Sequence, residues 1–574
     1  MSNLNQIIQN IKDKNFDQAL KLCNTYENEK NKHIIFNLRG AIYFSQNDLI
    51  NAETNFVESF KINNNFIDSI KNLILIYNRK KNFKKFLFFA KKLVEIDKSN
   101  PLFNFQLGFA YGQNQDQVNS KKHYKISIKI DQNYRFMVFN NIGSTYAKTQ
   151  KFKKSNRYYF KALKFNINNK IIINNILSNY LGLRDKENAY IYFKKAEKLD
   201  QNYIEFLYNK AEYLILNEKF AEAVQILEEN KNNLRFLIRL IKIYFTIGKD
   251  QEAQLLFNSS KKSLVNNFNG INFLGMRLLY EGDFLNGWKY YDQGALKSDH
   301  SFKNIKEWNG ENLERKHIVV FNEQGLGDAI QFSKYIIPLL EISNEVTFII
   351  KKNIHKIFRS DIPNLNIGSI DMISNYKFDF KIALGSLIKF FYKKKIRSNK
   401  LITNNNDNIR DLDIIKFDLN KLNVGIAWSG SFNGPNEPYR SIPLKSLNRI
   451  FSLDVNYFCL QNEIWDRDLN KFNSIKINNF GKYSLNEMSS IIPNLDLVIS
   501  TDTSFLHLSS ALNQETWGIL NLYPDWRWGE FNKLNPYKSL KLFRQKIFNK
   551  WDDVELEIFE NLKKKIKNKE LSKK

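Results

Sequence analysis

The chain has 574 residues and a formal net charge of +28, a length that allows roughly two to four domains. Its two cysteines, Cys23 and Cys459, lie far apart in the sequence, which excludes a disulfide framework and a cysteine-based zinc site. No apolar run approaches the roughly 18 residues that a membrane span needs, and the first residues lack a signal-peptide pattern. We therefore expect a soluble, cytoplasmic protein without a transmembrane segment. Nucleic acid is not an expected partner, because the lysines are spread over the whole chain rather than clustered.

Tyrosine recurs along the first half of the chain at intervals between 31 and 35 residues. The recurring residues are Tyr43, Tyr77, Tyr111, Tyr146, Tyr180, Tyr213 and Tyr244. Small residues follow most of them nine or ten positions later, at Ala52, Ser120, Ser155, Ala189, Ala223 and Ala253. A period of about 34 residues indicates a helical hairpin that is repeated into an α solenoid. The pattern resembles the tetratricopeptide repeat, is expected over residues 1–295, and implies a concave face that binds a protein partner or a peptide.

The second half of the chain contains short, apolar, β-branched runs separated by helical stretches. The predicted strands are His317–Phe321, Val346–Ile350, Val424–Trp428, Val455–Leu460, Leu497–Ser500 and Thr516–Leu520. Strands that alternate with helices indicate an α/β fold with parallel sheets. A polar stretch at residues 399–411 is interpreted as a linker, so we expect one α/β domain at residues 311–400 and a second at 415–574. Two such domains leave a cleft at the carboxyl ends of their strands, where α/β sheets bind ligands.

A glycine-containing turn, Gly325-Leu326-Gly327-Asp328, follows the first predicted strand and opens a helix. Glycine permits a tight turn and a close approach of the backbone to a ligand. The turn is not the dinucleotide fingerprint, because Ile330 occupies the position of the third glycine. Asp328 is open to two interpretations: it caps the helix N-terminus, or it is a general base that faces an acceptor hydroxyl.

A second motif, Asp502-Thr503-Ser504, lies between the strand Leu497–Ser500 and a helix that carries His507. Free N–H groups at a helix start, together with hydroxyl side chains, suit a diphosphate. His507 lies about one helical turn further on, within reach of the same ligand. The alternative is structural, with Asp502 or Thr503 as the helix cap and His507 as a half-buried histidine.

Two further loops are candidates for ligand contacts. Ser429-Gly430-Ser431 follows a predicted strand and can hydrogen-bond a phosphate, and Arg440 can neutralise a diphosphate through paired hydrogen bonds. The alternative for these residues is an ordinary turn and a solvated arginine. The aromatic loop Tyr523–Trp528 either stacks on a base or a sugar or fills the edge of the domain.

Five motifs in chain order resemble one group of bacterial proteins, in which tetratricopeptide repeats are fused to a heptosyltransferase-like domain of glycosyltransferase family 9 type. The motifs are Glu323–Phe332, Gly425–Gly430, Tyr439–Pro443, Asp496–Leu508 and Pro524–Trp528. The resemblance implies a GT-B fold, in which two Rossmann-like domains face each other and the C-terminal one holds most of the sugar nucleotide. It implies no metal, and no cofactor apart from the sugar nucleotide as co-substrate. The chain departs from the group at Ser504, Arg440 and Ile388, where glycine, lysine and proline are common.

The resemblance also implies roles for individual residues. Asp328 is the expected base and Arg440 the expected diphosphate ligand. The resemblance also assigns donor binding to Asp502, Thr503, Ser504 and His507. The loops themselves add Gly325, Gly327, Ser429, Gly430 and Ser431 to the expected donor-binding residues. The two Asp-x-Asp pairs of interest, Asp411-x-Asp413 and Asp466-x-Asp468, lie outside the cleft motifs, and the second is interpreted as a surface charge cluster.

The expected reaction is an inverting, metal-independent transfer of a sugar from a nucleotide diphosphate-sugar to a glycan, a lipid-linked glycan or a protein. The repeats would bind the acceptor or a protein partner. One alternative is a non-catalytic repeat scaffold whose α/β half binds a nucleotide or a partner. Another is a protein O-glycosyltransferase of the N-acetylglucosamine type, which shares the plan of repeats followed by a GT-B domain.

Overall fold

The computed structural model describes residues 2–114, 116–294, 302, 304–394, 396–404, 417, 420–432, 434, 439–529 and 536–571. Contacts along the chain divide it into two units, Met1–Ile226 and Leu227–Lys574. Most of the predicted linker, residues 405–411, lies outside the described residues. Within the described ranges, no helix combines the length and the apolar character that crossing a bilayer requires. Both cysteines are buried and carry free thiols.

Consecutive helices are joined by short connections from the N-terminus to residue 294, and within each unit successive helices pack against each other in pairs. In chain order they are α1 (Ser2–Lys12), α2 (Phe16–Tyr26), α3 (Lys32–Ser45), α4 (Leu49–Ile62), α5 (Ile67–Arg79), α6 (Phe83–Ile96), α7 (Pro101–Gln113), α8 (Gln117–Ile130), α9 (Arg135–Lys148), α10 (Phe152–Leu163), α11 (Lys170–Gly182), α12 (Lys186–Leu199), α13 (Ile204–Leu216), α14 (Phe220–Glu229), α15 (Leu234–Thr246), α16 (Asp250–Val265), α17 (Phe268–Glu281) and α18 (Phe284–Gly294). Every recurring tyrosine lies on the first helix of a hairpin, and the small residues that follow lie on the second. The predicted helical hairpin repeat is therefore confirmed.

Glycine lets the two helices of a hairpin approach closely. A Cβ atom at Gly40 would lie 2.6 Å from the ring of Phe56, and one at Gly143 would lie 2.6 Å from the ring of Tyr159. Both rings are buried. A side chain larger than hydrogen would push the helices apart, so the sequence period also sets the packing distance.

The rest of the chain alternates strands with helices. The strands are β1 (Lys306–Glu307), β2 (Leu313–Phe321), β3 (Ser343–Ile349), β4 (Leu365–Gly368), β5 (Phe380–Ala383), β6 (Leu422–Ala427), β7 (Val455–Cys459), β8 (Asn478–Asn479), β9 (Leu497–Thr501), β10 (Thr516–Leu520) and β11 (Leu540–Arg544). The helices are α19 (Leu326–Phe332), α20 (Ile336–Leu340), α21 (Leu384–Phe391), α22 (Asp466–Ser474), α23 (Leu485–Ile491), α24 (Ser504–Ala511) and α25 (Asp552–Leu571). Each of the predicted strands coincides with an observed strand to within a few residues.

The strands form two sheets, ordered β1-β5-β2-β3-β4 and β11-β10-β9-β6-β7-β8. Every pairing within them is parallel, which confirms the prediction of parallel α/β sheets. In the second sheet the chain runs outward from β6 to β8, returns to β9 beside β6, and then runs outward on the other side. The first sheet has the same reversal between β2 and β5. The loops that leave β6 and β9 therefore diverge, and a crevice opens between them at the carboxyl ends of the strands.

Buried apolar side chains fix the helices against the second sheet. Val554, Ile558 and Leu562 of α25 pack in one core with Val424 and Ile426 of β6. β6 is buried along its whole length, as expected for a parallel strand that is covered on both faces. This packing holds the strand ends in place, and with them the loops that follow.

Candidate functional site

A cavity of about 620 Å³ lies at the carboxyl ends of strands from both sheets. Its walls are formed by the loops that follow β2, β6, β7, β9 and β10. Every candidate site residue from the sequence lines this cavity: Gly325, Gly327, Asp328, Ser429, Gly430, Ser431, Arg440, Asp502, Thr503, Ser504 and His507. Gly325 and His507, which are 182 positions apart in the sequence, thus share one cleft.

Both carboxylate oxygens of Asp328 have partners within the protein. Oδ2 accepts a hydrogen bond of 3.0 Å from the backbone N–H of Gly325, at the start of α19. Oδ1 lies 2.5 Å from Nη2 of Arg527. The capping interpretation therefore describes one oxygen of Asp328, while the other forms an ion pair that the sequence motif did not indicate.

Arg527 connects two carboxylates in the wall of the cleft. Its Nη1 lies 2.6 Å from Oδ1 of Asp525, and its Nη2 lies against Asp328. Burial alone would lower the pKa of the guanidinium, but the negative charges of Asp328 and Asp525 hold the pKa above its usual value. Arg527 is thus a fixed positive charge. Its loop is among the sequence motifs, but Arg527 itself is not named as a candidate site residue.

Asp502 and His507 form a second ion pair in the cleft. Nε2 of His507 lies 3.4 Å from Oδ1 of Asp502, and Nδ1 lies 3.2 Å from the hydroxyl of Tyr537. Burial alone would raise the pKa of the Asp502 carboxyl, but the hydrogen bond to His507 and the charges of Arg440 and Arg527 hold the pKa well below its usual range. Of the two residues interpreted as the helix cap, Thr503 occupies the N-cap position of α24, but its side chain forms no capping hydrogen bond with the described residues.

Gly327 allows α19 to pack against α24 of the other sheet. A Cβ atom at Gly327 would lie 2.9 Å from Cδ2 of His507. The imidazole is also stacked on Trp528, with ring centroids 5.8 Å apart and an interplanar angle of 13°. The absence of a side chain at Gly327 therefore serves the contact between the two halves of the cleft.

Gln461 holds the loop that follows β6. Its Oε1 accepts hydrogen bonds from the backbone N–H groups of Trp428 (2.9 Å) and Ser429 (3.1 Å). Its Nε2 donates to Oγ of Ser429 at 2.8 Å and to the carbonyl of Glu463 at 2.8 Å. Gln461 is buried and lines the cleft. It directly follows a predicted strand, so its position at a strand end could have identified it.

Two sequence interpretations are settled by burial. Asp468 is 1% exposed and accepts hydrogen bonds from Nε1 of Trp428 and the N–H of Leu444, so the interpretation of Asp466-x-Asp468 as a surface charge cluster is wrong for its second residue. Trp526 and Trp528 are 5% and 3% exposed. Their rings pack against protein side chains, which favours a loop that fills the domain edge over one that stacks on a ligand.

The charged side chains that line the cleft are Asp328, Arg440, Glu463, Asp502, Asp525 and Arg527. Carboxylates outnumber guanidinium groups in this lining. An incoming anion must therefore compete with these carboxylates for the two guanidinium groups. Among the residues that the structure describes, no group of three or more His, Cys, Asp or Glu side chains is arranged to hold a metal ion.

A family model described as a tetratricopeptide repeat matches residues 172–203, which span the hairpin α11–α12. This match identifies the hairpin α11–α12 as a tetratricopeptide repeat, and the neighbouring helices repeat the same two-helix plan, which confirms the repeat part of the prediction. A comparison with curated proteins finds no match. The glycosyltransferase part of the resemblance stays a prediction.

Several solved structures are similar to part of the chain. A tetratricopeptide repeat protein from Parabacteroides merdae has 11% identity, with 42% of this chain and 99% of that chain covered and a TM-score of 0.38. Pseudomonas aeruginosa PilF has 14% identity, with 36% and 93% covered and a TM-score of 0.29. The MamA protein has 18% identity, with 30% and 93% covered and a TM-score of 0.27.

Proposed function

We propose that the α/β region is an inverting glycosyltransferase of GT-B type, which uses a nucleotide diphosphate-sugar as donor. The observation that carries this proposal is the single cleft at the strand ends of both sheets, where all the candidate residues converge. Ligands of α/β proteins bind at such points of reversal in strand order.

The donor diphosphate would bind against the second sheet. The N-terminus of α24 offers N–H groups and the hydroxyls of Thr503 and Ser504, which suit an anion. The loop that begins at Ser429, held by Gln461, forms another part of the wall. Arg440 supplies a guanidinium that can form two parallel hydrogen bonds to phosphate oxygens.

In the proposed reaction, an acceptor hydroxyl attacks the anomeric carbon on the face opposite the diphosphate. Asp328 takes the proton of that hydroxyl as the new C–O bond forms. The bond between the anomeric carbon and the diphosphate breaks, and its electron pair leaves with the nucleoside diphosphate. The charge that develops on the leaving group is stabilised by Arg440 and by the start of α24. Because the attack comes from the face opposite the diphosphate, the configuration at the anomeric carbon inverts.

The acceptor would be a glycan, a lipid-linked glycan or a protein. Tetratricopeptide repeats present a surface for a peptide or a partner protein, so we assign recruitment of the acceptor or of a partner to the hairpins. Chemistry and recruitment would thus lie in different parts of one chain.

Calorimetric titration of the full chain with UDP, GDP, ADP and CDP tests the donor site. We expect at least one of them to bind, and Arg440→Ala to weaken that binding by about 1.5–3 kcal/mol, the range for a hydrogen bond to a charged group. Arg359→Ala is the matched control, because that guanidinium pairs with Asp361 on the surface, outside the cleft. Equal affinities of the wild type and Arg440→Ala would remove Arg440 from the proposed site.

A non-catalytic scaffold is the second candidate, and one observation favours it. Both oxygens of Asp328 have partners within the protein, as a purely structural carboxylate would. Binding of a nucleoside diphosphate without turnover of any donor sugar would support the scaffold over the enzyme.

A further inference from the structure

Arg527 lies where the proposed base and the proposed leaving group meet. Its guanidinium lines the cleft together with Arg440, Asp328 and Asp502. Nη1 is held by Asp525 at 2.6 Å and Nη2 by Asp328 at 2.5 Å. One group on the guanidinium is therefore anchored by the residue's own loop, while the other contacts a carboxylate of the opposite sheet.

In this arrangement both oxygens of Asp328 are held by partners within the protein. Oδ1 pairs with Nη2 of Arg527. The second oxygen of Asp328 is already a hydrogen-bond acceptor for Gly325. An acceptor hydroxyl that approaches Oδ1 therefore competes with Nη2 of Arg527 for this oxygen, unless Nη2 has another partner.

A diphosphate is such a partner. It carries more negative charge than one carboxylate and offers oxygens in the geometry that a guanidinium binds well. The residues proposed to bind the diphosphate, Arg440, Thr503 and Ser504, line the same cavity as Arg527. Since Asp525 keeps Nη1 in place, the exchange at Nη2 needs no release of the whole side chain.

We infer that Arg527 changes partner during the reaction: the donor diphosphate displaces Asp328 from Nη2, and only then does Asp328 act as the base. The inference rests on the proposed function and adds a regulatory step to the same site. Donor binding activates the base, so the donor binds before the acceptor, and the cleft suppresses proton abstraction while it is empty.

A double-mutant cycle on nucleoside diphosphate affinity tests this exchange. The probe is whichever of UDP, GDP, ADP and CDP binds the wild type most tightly. Asp328→Asn removes the competitor for Nη2 and should tighten binding by about tenfold, which corresponds to 1.4 kcal/mol. In an Arg527→Gln background the same substitution should change the affinity less than twofold, whereas in an Arg440→Gln background the gain of about tenfold should persist.

The controls separate partner exchange from general electrostatics. Loss of a negative charge alone would give the same gain in both arginine backgrounds, and that result overturns the inference, as does an unchanged affinity of Asp328→Asn. Arg527→Gln leaves two buried carboxylates without their cation and can fail to fold. In that case Arg527→Lys replaces it, because a single ammonium lacks the fork that spans two partners. A smaller increase in nucleoside diphosphate affinity on Asp328→Asn in this background supports the exchange, and the full tenfold increase contradicts it. Absence of binding to the wild type would instead refute the proposed function, and the inference with it.

Discussion

Replacement of Gly327 by alanine tests whether the two halves of the cleft pack as described. The added Cβ would lie 2.9 Å from Cδ2 of His507, whereas ordinary van der Waals contact begins near 3.4 Å. His507 has little freedom to move, because Trp528 stacks on its ring and Asp502 and Tyr537 hold its two nitrogens. α19 and α24 must therefore separate by several tenths of an ångström.

The expected cost follows from two opposing effects. Overpacking of a well-ordered contact destabilises proteins by about 1–3 kcal/mol. Alanine is a better helix former than glycine by up to roughly 1 kcal/mol, which offsets part of that cost. We expect Gly327→Ala to lower the free energy of unfolding by about 1–2 kcal/mol, and to weaken nucleoside diphosphate binding because the cleft opens.

Urea denaturation of Gly327→Ala, His507→Ala and the double variant measures this effect. In the His507→Ala background the added methyl group has room, so Gly327→Ala should become neutral or stabilising, and the coupling free energy reports the contact itself. A single Gly327→Ala variant that is more stable than the wild type would refute the packing of α19 against α24.

Two further substitutions have expected outcomes. Gln461→Ala leaves the buried N–H groups of Trp428 and Ser429 without their acceptor, so chemical denaturation should show a loss of about 2–4 kcal/mol, and an unchanged stability would contradict the role of Gln461. Burial lowers the pKa of Lys334 from 10.5 to about 8, so the folded state binds this proton less tightly than the unfolded state, and stability should rise as the pH increases from about 8 to 10.5. Lys334→Met should raise the free energy of unfolding by roughly 3 kcal/mol at pH 7. If the melting temperature of this variant still rises with pH as that of the wild type does, another group causes the rise.

Much of the architecture could be predicted because local sequence patterns determine it. The tyrosine period corresponds to one helical hairpin, and short apolar runs such as Thr516–Leu520 are strands of the same bounds. The candidate residues converge because they follow central strands of parallel sheets, whose carboxyl ends meet at one edge. The candidate residues could be identified from their position after apolar runs, without knowledge of the strand order.

The rest depends on contacts between distant parts of the chain. The strands β4 and β5 have four residues each, too few to show a pattern. α25 contains both apolar and charged residues, because only one of its sides is buried. The pairing of Arg527 with Asp328 joins residues from different sheets. No sequence spacing indicates it, since it arises only when the loops after β2 and β10 are brought together.

The central claim is that Asp328 is the base of a glycosyl transfer, and one comparison tests it most directly. Purified wild-type protein and Asp328→Asn are incubated with a panel of nucleotide diphosphate-sugars, with water as the acceptor. Release of the nucleoside diphosphate by hydrolysis is followed alongside the melting temperature. The account predicts turnover of at least one donor by the wild type and a decrease of about 10²–10⁴-fold in the variant. The variant should bind the nucleoside diphosphate at least as tightly as the wild type, and its fold should be retained. Turnover by Asp328→Asn at the wild-type rate would contradict the account, because an asparagine cannot accept the proton.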